Sequence, residues 1–311
     1  MKKNYNFTFV SICALSLLTT LGPLHAALFK SSMYKPNRHQ HHNQYIQDES
    51  EEKKEDHDDQ ALFENKLWPA VDIYMPKIDF SAIANKDLVF FLGNAGAGKS
   101  TTINILLGHP FSIEEDDDED KVISTTKNSH INGYAPVGDD PDSVTKVPSL
   151  YESKKDQVCY LDCPGFKDTA GEAQAIFNMM VIRSCVQRCR SVKKIVYVIE
   201  KSSMTGDRGG IFKAAIENFS KWFLFPKTVL PNIIWLFTKY NKGLKEAVVK
   251  KFTKICNGKH TPPQVKKLLK EILEKYPNNI LIMSTPVKQK RQQLLTMIQS
   301  ETGGISEISK V

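Results

Sequence analysis

The chain has 311 residues, 41% hydrophobic and 25% charged, which is material for one large domain of about 220 residues with extensions and excludes a wholly disordered polymer. Its net charge of +7 is lopsided, because Lys221 to Val311 holds 17 Lys or Arg against 5 acids and leaves the preceding part net acidic. Six cysteines (Cys13, Cys159, Cys163, Cys185, Cys189 and Cys256) lack paired C-x-x-C spacing, which excludes a zinc ribbon and a small disulfide scaffold and reads as buried thiols.

In chain order, residues 1–26 read as an export signal or a retained membrane anchor. Lys2 and Lys3 precede an apolar run from Phe7 to Leu21, and Gly22, Pro23 and Leu24-His25-Ala26 make a cleavage region. The protein is thus expected to be exported or membrane-anchored. Residues 27–66 are a polar linker with His39, His41 and His42 and an acidic run from Asp48 to Asp59. Residues 67–300 form the α/β domain, and 301–311 a tail.

Within the domain, Leu88 to Leu92 is a buried strand and Ile103, Leu106 and Leu107 follow at helical spacing. Glu114 to Asp120, seven consecutive acids, belongs in a solvated loop, since such repulsion cannot be buried. Gln157 to Asp162 is strand-like, and the next helix gathers Ile182, Cys185, Val186 and Cys189 on one face. A strand from Ile195 to Ile199 precedes a helix with Phe212, Ala215, Ile216, Phe219 and Phe223 in a buried stripe. Then come a strand at Ile233 to Phe237, helices at Leu244 to Ile255 and Val265 to Tyr276, and a last strand at Ile280 to Met283. The alternation predicts a mostly parallel sheet flanked by helices. Lysines of the C-terminal third read first as solvated helix faces, with attraction to anionic lipid, nucleic acid or an acidic partner as the alternative. No RNA-reading aromatic motif interleaves them, so a nucleic-acid role is not indicated.

The segment Gly93-Asn94-Ala95-Gly96-Ala97-Gly98-Lys99-Ser100-Thr101 matches the phosphate loop G-x-x-x-x-G-K-[ST] between a strand and a helix. Its glycines let successive N–H groups converge on phosphate oxygens at a helix N-terminus. Lys99 reaches the β- and γ-phosphates and Ser100 holds Mg2+. Asp162-Cys163-Pro164-Gly165 is a D-x-x-G at the end of a strand, where the aspartate orients Mg2+ and the Gly165 N–H contacts the γ-phosphate.

With GNAGAGKST and DCPGF, the chain resembles the translation-factor-related GTPases, most of all the septin-like, immunity-associated and chloroplast-import-receptor branch, over roughly Lys86 to Pro286. The resemblance implies a three-layer P-loop NTPase fold of the Ras-like G-domain kind, GTP and GDP as ligands, Mg2+ as cofactor, and a homodimer across the nucleotide face. It implies an effector-loop threonine on Mg2+ and γ-phosphate. Thr145 is the first candidate, with Thr125 or Thr126 as the alternative. Thr238-Lys239-Tyr240-Asn241 stands where a base-reading [NT]-K-x-D is expected, and Ser284 lies in the final base-contacting loop. Asn241 departs from the pattern, because an amide has one acceptor oxygen where a carboxylate accepts from both guanine N–H groups. Phe166 departs as well, standing where Ras-like enzymes carry a water-orienting glutamine. Slow turnover is therefore expected unless an arginine finger assists; Arg183 and Arg208 lie in segments that could face a neighbour, but read first as surface ion-pair residues.

Overall fold

The structure, a computed structural model, describes residues 67–115, 121–138, 145–165, 172–205, 209–214, 216, 229–239, 245–284 and 287–300. Its helices are α1 (Trp68–Tyr74), α2 (Phe80–Ile83), α3 (Lys99–Leu107), α4 (Glu172–Arg188), α5 (Lys201–Thr205), α6 (Lys245–Cys256), α7 (Pro263–Lys275) and α8 (Val287–Gln299). Its strands are β1 (Asp87–Gly93), β2 (Phe111–Glu115), β3 (Lys121–Thr125), β4 (Ser149–Ser153), β5 (Val158–Asp162), β6 (Ser191–Glu200), β7 (Ile233–Thr238) and β8 (Ile280–Ile282).

Six strands make the central sheet in the order β4-β5-β1-β6-β7-β8. All neighbours are parallel except β4, which runs antiparallel to β5 at the edge. Strands buried on both faces need continuous apolar runs, and β1, β6 and β7 have them. Side-chain alternation then divides the core into two layers. On one face Leu88, Phe90, Leu92, Tyr197, Trp235 and Phe237 meet the apolar sides of α4, α6 and α7. On the other, Val89, Phe91, Tyr160, Val198 and Leu236 meet α3 and α8. The result is a helix–sheet–helix sandwich, as the alternating pattern predicts.

The chain leaves β1 toward β5 and leaves β6 toward β7, so the crevice at the carboxyl ends of β1 and β6 is the topological switch point where such sheets bind ligands. The phosphate loop opens there. Arg291 of α8 braces this framework from behind, donating to the terminal carbonyls of α3 at Ile105 (2.9 Å) and Leu106 (2.7 Å).

Several expectations need correction. The acid run is not wholly loop: Glu114 and Glu115 end β2, with Glu115 opposite Lys121 in a separate two-stranded hairpin. Glu114 remains exposed there, so strand geometry solvates it as well as a loop would. Asp116 to Asp120 lie outside the described residues, as do Ala215, Phe219 and Phe223. The edge strand β4, the hairpin, α1 and α2 carry no strong sequence signal, whereas α8 has one in Val287, Leu294, Leu295 and Ile298 at helical spacing and is an addition to the expected elements. β6 starts four residues earlier than its apolar run, because Ser191, Val192 and Lys194 pair with the start of β1, with Lys193 skipped at a bulge. Among the described residues the cysteines are free thiols. Cys163 and Cys185 are fully buried. Burial pushes the Cys185 thiol up to about 12 and the Cys163 thiol well above the ordinary range. No described group of three or more His, Cys, Asp or Glu residues has the makings of a metal site, and no described helix is long and apolar enough to cross a membrane.

Candidate functional site

The loop after β1 turns where glycine alone fits. Gly93 has φ +144°, and a Cβ there would stand 2.3 Å from the Val198 carbonyl oxygen of β6, so the loop leaves the sheet in backbone-to-backbone contact. Gly98, at φ +92°, caps α3 in the left-handed region and aims its N-terminus across the loop. Between them Asn94 accepts from the Ala97 N–H at 3.3 Å, Ala95 and Gly96 form the outer curve, and Thr101 is half-buried in the first turn of α3. Lys99 is 6% exposed and folds back, its Nζ donating to the Asn94 carbonyl at 2.9 Å and the Gly93 carbonyl at 3.3 Å.

The D-x-x-G turn is next door. β5 is the direct neighbour of β1, with Asp162 opposite Phe91, and the Cys163 N–H donates to the Phe91 carbonyl at 3.3 Å. Gly165 presses on the phosphate loop: a Cβ at this position would come 2.4 Å from the Ala95 nitrogen. The two motifs, 63 residues apart in sequence, form one surface.

Asp162 is the focus of that surface. Its Oδ2 accepts from the Ser100 hydroxyl at 2.6 Å. Its Oδ1 is buried with no hydrogen-bond partner of ordinary geometry among the described residues, while the Thr145 hydroxyl lies close enough to bond the carboxyl group. Desolvation raises the pKa of the acid, and the Lys99 ammonium and the two hydroxyls oppose that rise. Of the effector-loop candidates, Thr145 is the one brought here. Thr125 sits elsewhere, accepting from Asn104 Nδ2 at 3.1 Å, and Thr126 donates its N–H to the Pro110 carbonyl at 3.0 Å.

The base-reading candidates lie across the crevice, at the ends of β7 and β8. Thr238 donates its hydroxyl to the Ala97 carbonyl at 2.7 Å and so ties β7 to the phosphate loop. Lys239 takes a left-handed φ of 58°, is exposed, and pairs with Glu200 at 3.1 Å. The Met283 N–H donates to the Phe237 carbonyl at 2.7 Å, which sets buried Ser284 just past the level of Thr238. Phe166, Arg208, Tyr240, Asn241 and Thr285 lie outside the described residues.

Two positioning residues escaped the sequence reading. Asn178 of α4, fully buried, donates to the Gly165 carbonyl at 2.7 Å and receives the Gln174 amide at 2.8 Å. Asn104 of α3, also fully buried, exchanges two hydrogen bonds with Ala135, at 2.8 Å each, and so holds the segment after β3 to the phosphate-loop helix. Each is an amide inside an apolar helix run, Ile-Phe-Asn-Met-Met and Thr-Ile-Asn-Ile-Leu, and a buried amide needs partners. That misfit was the available signal.

No known family profile matches the chain, and no curated protein matches it in sequence. Among solved structures it is similar to Toc33 from Arabidopsis thaliana. A dimerization-deficient mutant of that protein matches with a TM-score of 0.45, and its complex with Mg2+ and GMPPNP with a TM-score of 0.44. Both are 12% identical over 78% of this chain and 95% of that one. A nucleolar GTP-binding protein of Plasmodium falciparum is 18% identical over 69% of this chain and 87% of that one, with a TM-score of 0.31. What assigns the fold is the strand order and the loop geometry of this chain itself: it is a three-layer P-loop nucleoside-triphosphatase fold of the G-domain kind.

Proposed function

We propose that the chain binds GTP and GDP with Mg2+ and hydrolyses GTP slowly, the bound nucleotide controlling dimerisation or engagement of a partner. The observation that carries the reading is the convergence on Asp162 of Ser100 and Thr145, with Lys99 and Gly165 on the same loop surface. An adenylate- or kinase-type site needs the phosphate loop but not a D-x-x-G turn pressed onto it.

The residues present fit Mg2+. Two hydroxyls and one carboxylate are an all-oxygen set suited to a hard cation, and a buried acid with one oxygen unpartnered gains most from a nearby positive charge. When bound, Mg2+ neutralises charge on the β- and γ-phosphates. The chain supplies the rest. Backbone N–H groups from Gly96 to Thr101 grip the phosphates, and the Lys99 ammonium exchanges the Asn94 and Gly93 carbonyls for phosphate oxygens. The Gly165 N–H senses the terminal phosphate, its carbonyl held by Asn178. Guanine recognition falls to Lys239, Asn241 and the loop at Ser284. The single acceptor of Asn241 weakens discrimination against adenine by about 1–2 kcal/mol. Phe166 cannot orient water, which supports a low intrinsic rate.

Calorimetry of the full chain with GTP, GDP and ATP, with and without Mg2+, tests the binding, and phosphate release beside a Lys99→Ala control tests the chemistry. Guanine nucleotides should bind more tightly than ATP and only with Mg2+ at full strength, and GTP should turn over slowly but above the control. Release equal to the control would leave a nucleotide-binding scaffold. Indifference to every triphosphate would overturn the reading. Light scattering with GDP and with a non-hydrolysable GTP analogue tests the dimer, since equal mass in both states argues against nucleotide control.

A further inference from the structure

We infer that the outer face of the α6–α7 hairpin is a docking surface for an anionic phospholipid bilayer. The inward faces of both helices are consumed by the core: Val248, Phe252 and Ile255 of α6, and Val265, Leu268, Leu269 and Ile272 of α7, are all buried. What faces outward is chiefly lysine, with the acid Glu246 exposed at the far, amino-terminal end of α6. Lys250, Lys254, Lys259 and Lys267 are exposed, Lys251 and Lys266 half-buried, and none of the six makes an ion pair among the described residues. Lys270 and Lys275 differ, pairing with Glu274 at 3.7 Å and Glu271 at 3.1 Å.

The six gather at one end of a fixed support. Cys256 Sγ donates to the Lys266 carbonyl at 3.5 Å, joining the last turn of α6 to the first of α7. The Thr261 hydroxyl donates to the Ile255 carbonyl at 2.7 Å, and the Thr261 N–H to the Gly258 carbonyl at 3.2 Å, so the turn bearing Lys259 is ordered as well.

The kind of cation selects the partner. From Lys245 to Lys275 there are nine lysines and no arginine. Arginine is the residue of planar, two-pronged recognition of carboxylates and nucleic-acid phosphates, and lysine is depleted at protein–protein interfaces. Large exposed hydrophobic side chains among the described residues are Ile73, Ile113, Val137 and Ile211, and none lies on this hairpin. Apart from the single ring of His260, there is thus no exposed Phe, Tyr or Trp among the described residues of the hairpin to stack bases, and no apolar anchor for a protein hot spot. Compact point charges spread over a convex helix pair match a diffuse, laterally mobile sheet of negative headgroups, for which a cluster of four to eight such cations suffices.

The full chain is mixed with vesicles of phosphatidylcholine alone or with phosphatidylserine, and sedimentation measures the bound fraction. The vesicles without phosphatidylserine report any contribution of the N-terminal apolar run. Two variants carry equal loss of charge: Lys250→Gln, Lys254→Gln, Lys259→Gln and Lys267→Gln together on the hairpin, against Lys127→Gln, Lys154→Gln, Lys155→Gln and Lys288→Gln at exposed sites elsewhere. Circular dichroism confirms that both are folded. The expected result is an extra binding component that needs phosphatidylserine, weakens with added salt, and drops about tenfold or more in the hairpin variant while surviving in the control. Equal loss in the two variants, no preference for phosphatidylserine, or tighter hairpin-dependent binding to RNA or to an acidic peptide at the same salt overturns the assignment.

Discussion

Where β5, β1 and β6 end, Gly165 rests on the Ala95 backbone, Ser100 is bonded to Asp162, and Lys99 is folded into its own loop. Where β7 and β8 end, the side chains do other work: Thr238 ties the strand to Ala97, and Lys239 is exposed and paired with Glu200. The phosphate half is made of backbone on the central strands of a buried sheet and is fixed with the fold. In the proposed reading the base half rests on single side chains just past β7 and β8, and the exposed Lys239 among them is free to differ without cost to the core. On the proposed reading, triphosphate binding is therefore the more firmly built property, and base identity the more adjustable one.

The hardest test of the phosphate half is Gly165→Ala. The added carbon overlaps the Ala95 backbone, so the variant should lose about 2–3 kcal/mol in urea unfolding and bind GTP and GDP alike, having lost its contact with the terminal phosphate. Normal stability would show that the two loops are not packed together. Ser100→Ala should lower Mg2+-dependent GTP affinity by roughly tenfold to a hundredfold, the worth of a hydrogen bond to a charged group, with little change in Mg2+-free binding. Thr238→Val sharpens the comparison between the halves. Loss of the bond to Ala97 should weaken GTP, GDP and ATP equally, by about fivefold each, whereas a loss confined to guanine nucleotides would assign the hydroxyl to the base.

The smallest effect is expected far from the nucleotide, at the amino ends of β1 and β6. The Arg190 guanidinium bonded to Asp87, helped by the Ser191 hydroxyl, holds the Asp87 carboxyl down at about 2. A depressed acid stabilises the fold above its unfolded-state value of about 4 and loses that contribution as pH falls toward 2. Both partners are substantially exposed, so Arg190→Ala should lower the urea midpoint only slightly at neutral pH, and less still in acid melts.

How much of this was readable follows from where each element is buried. β1, β6 and β7 are sheathed on both sides and had to be written as continuous apolar runs. β4 is a half-buried edge with the mixed sequence Ser-Leu-Tyr-Glu-Ser, which no periodicity singles out. The phosphate loop was legible because its glycines answer to backbone geometry, and Asp162 because it terminates a strand. Thr145 could be chosen only by position, since an effector loop is specified by its contact with a distant carboxylate rather than by local pattern. Asn178 and Asn104 were missed for the same reason, their partners lying 13 and 31 residues away.

Cys163 sits between the Asp162 acid and Pro164, sealed in the core with its thiol held protonated. Such a sulfur is blind to alkylating reagents until its surroundings part, so its labelling rate is a clock for transient opening of this turn. Site-resolved mass spectrometry with iodoacetamide should find it among the slowest thiols in the chain, and slower again when Mg2+ and GTP clamp the loops. An unchanged rate on loading would place the breathing motion that exposes it outside the nucleotide's grasp.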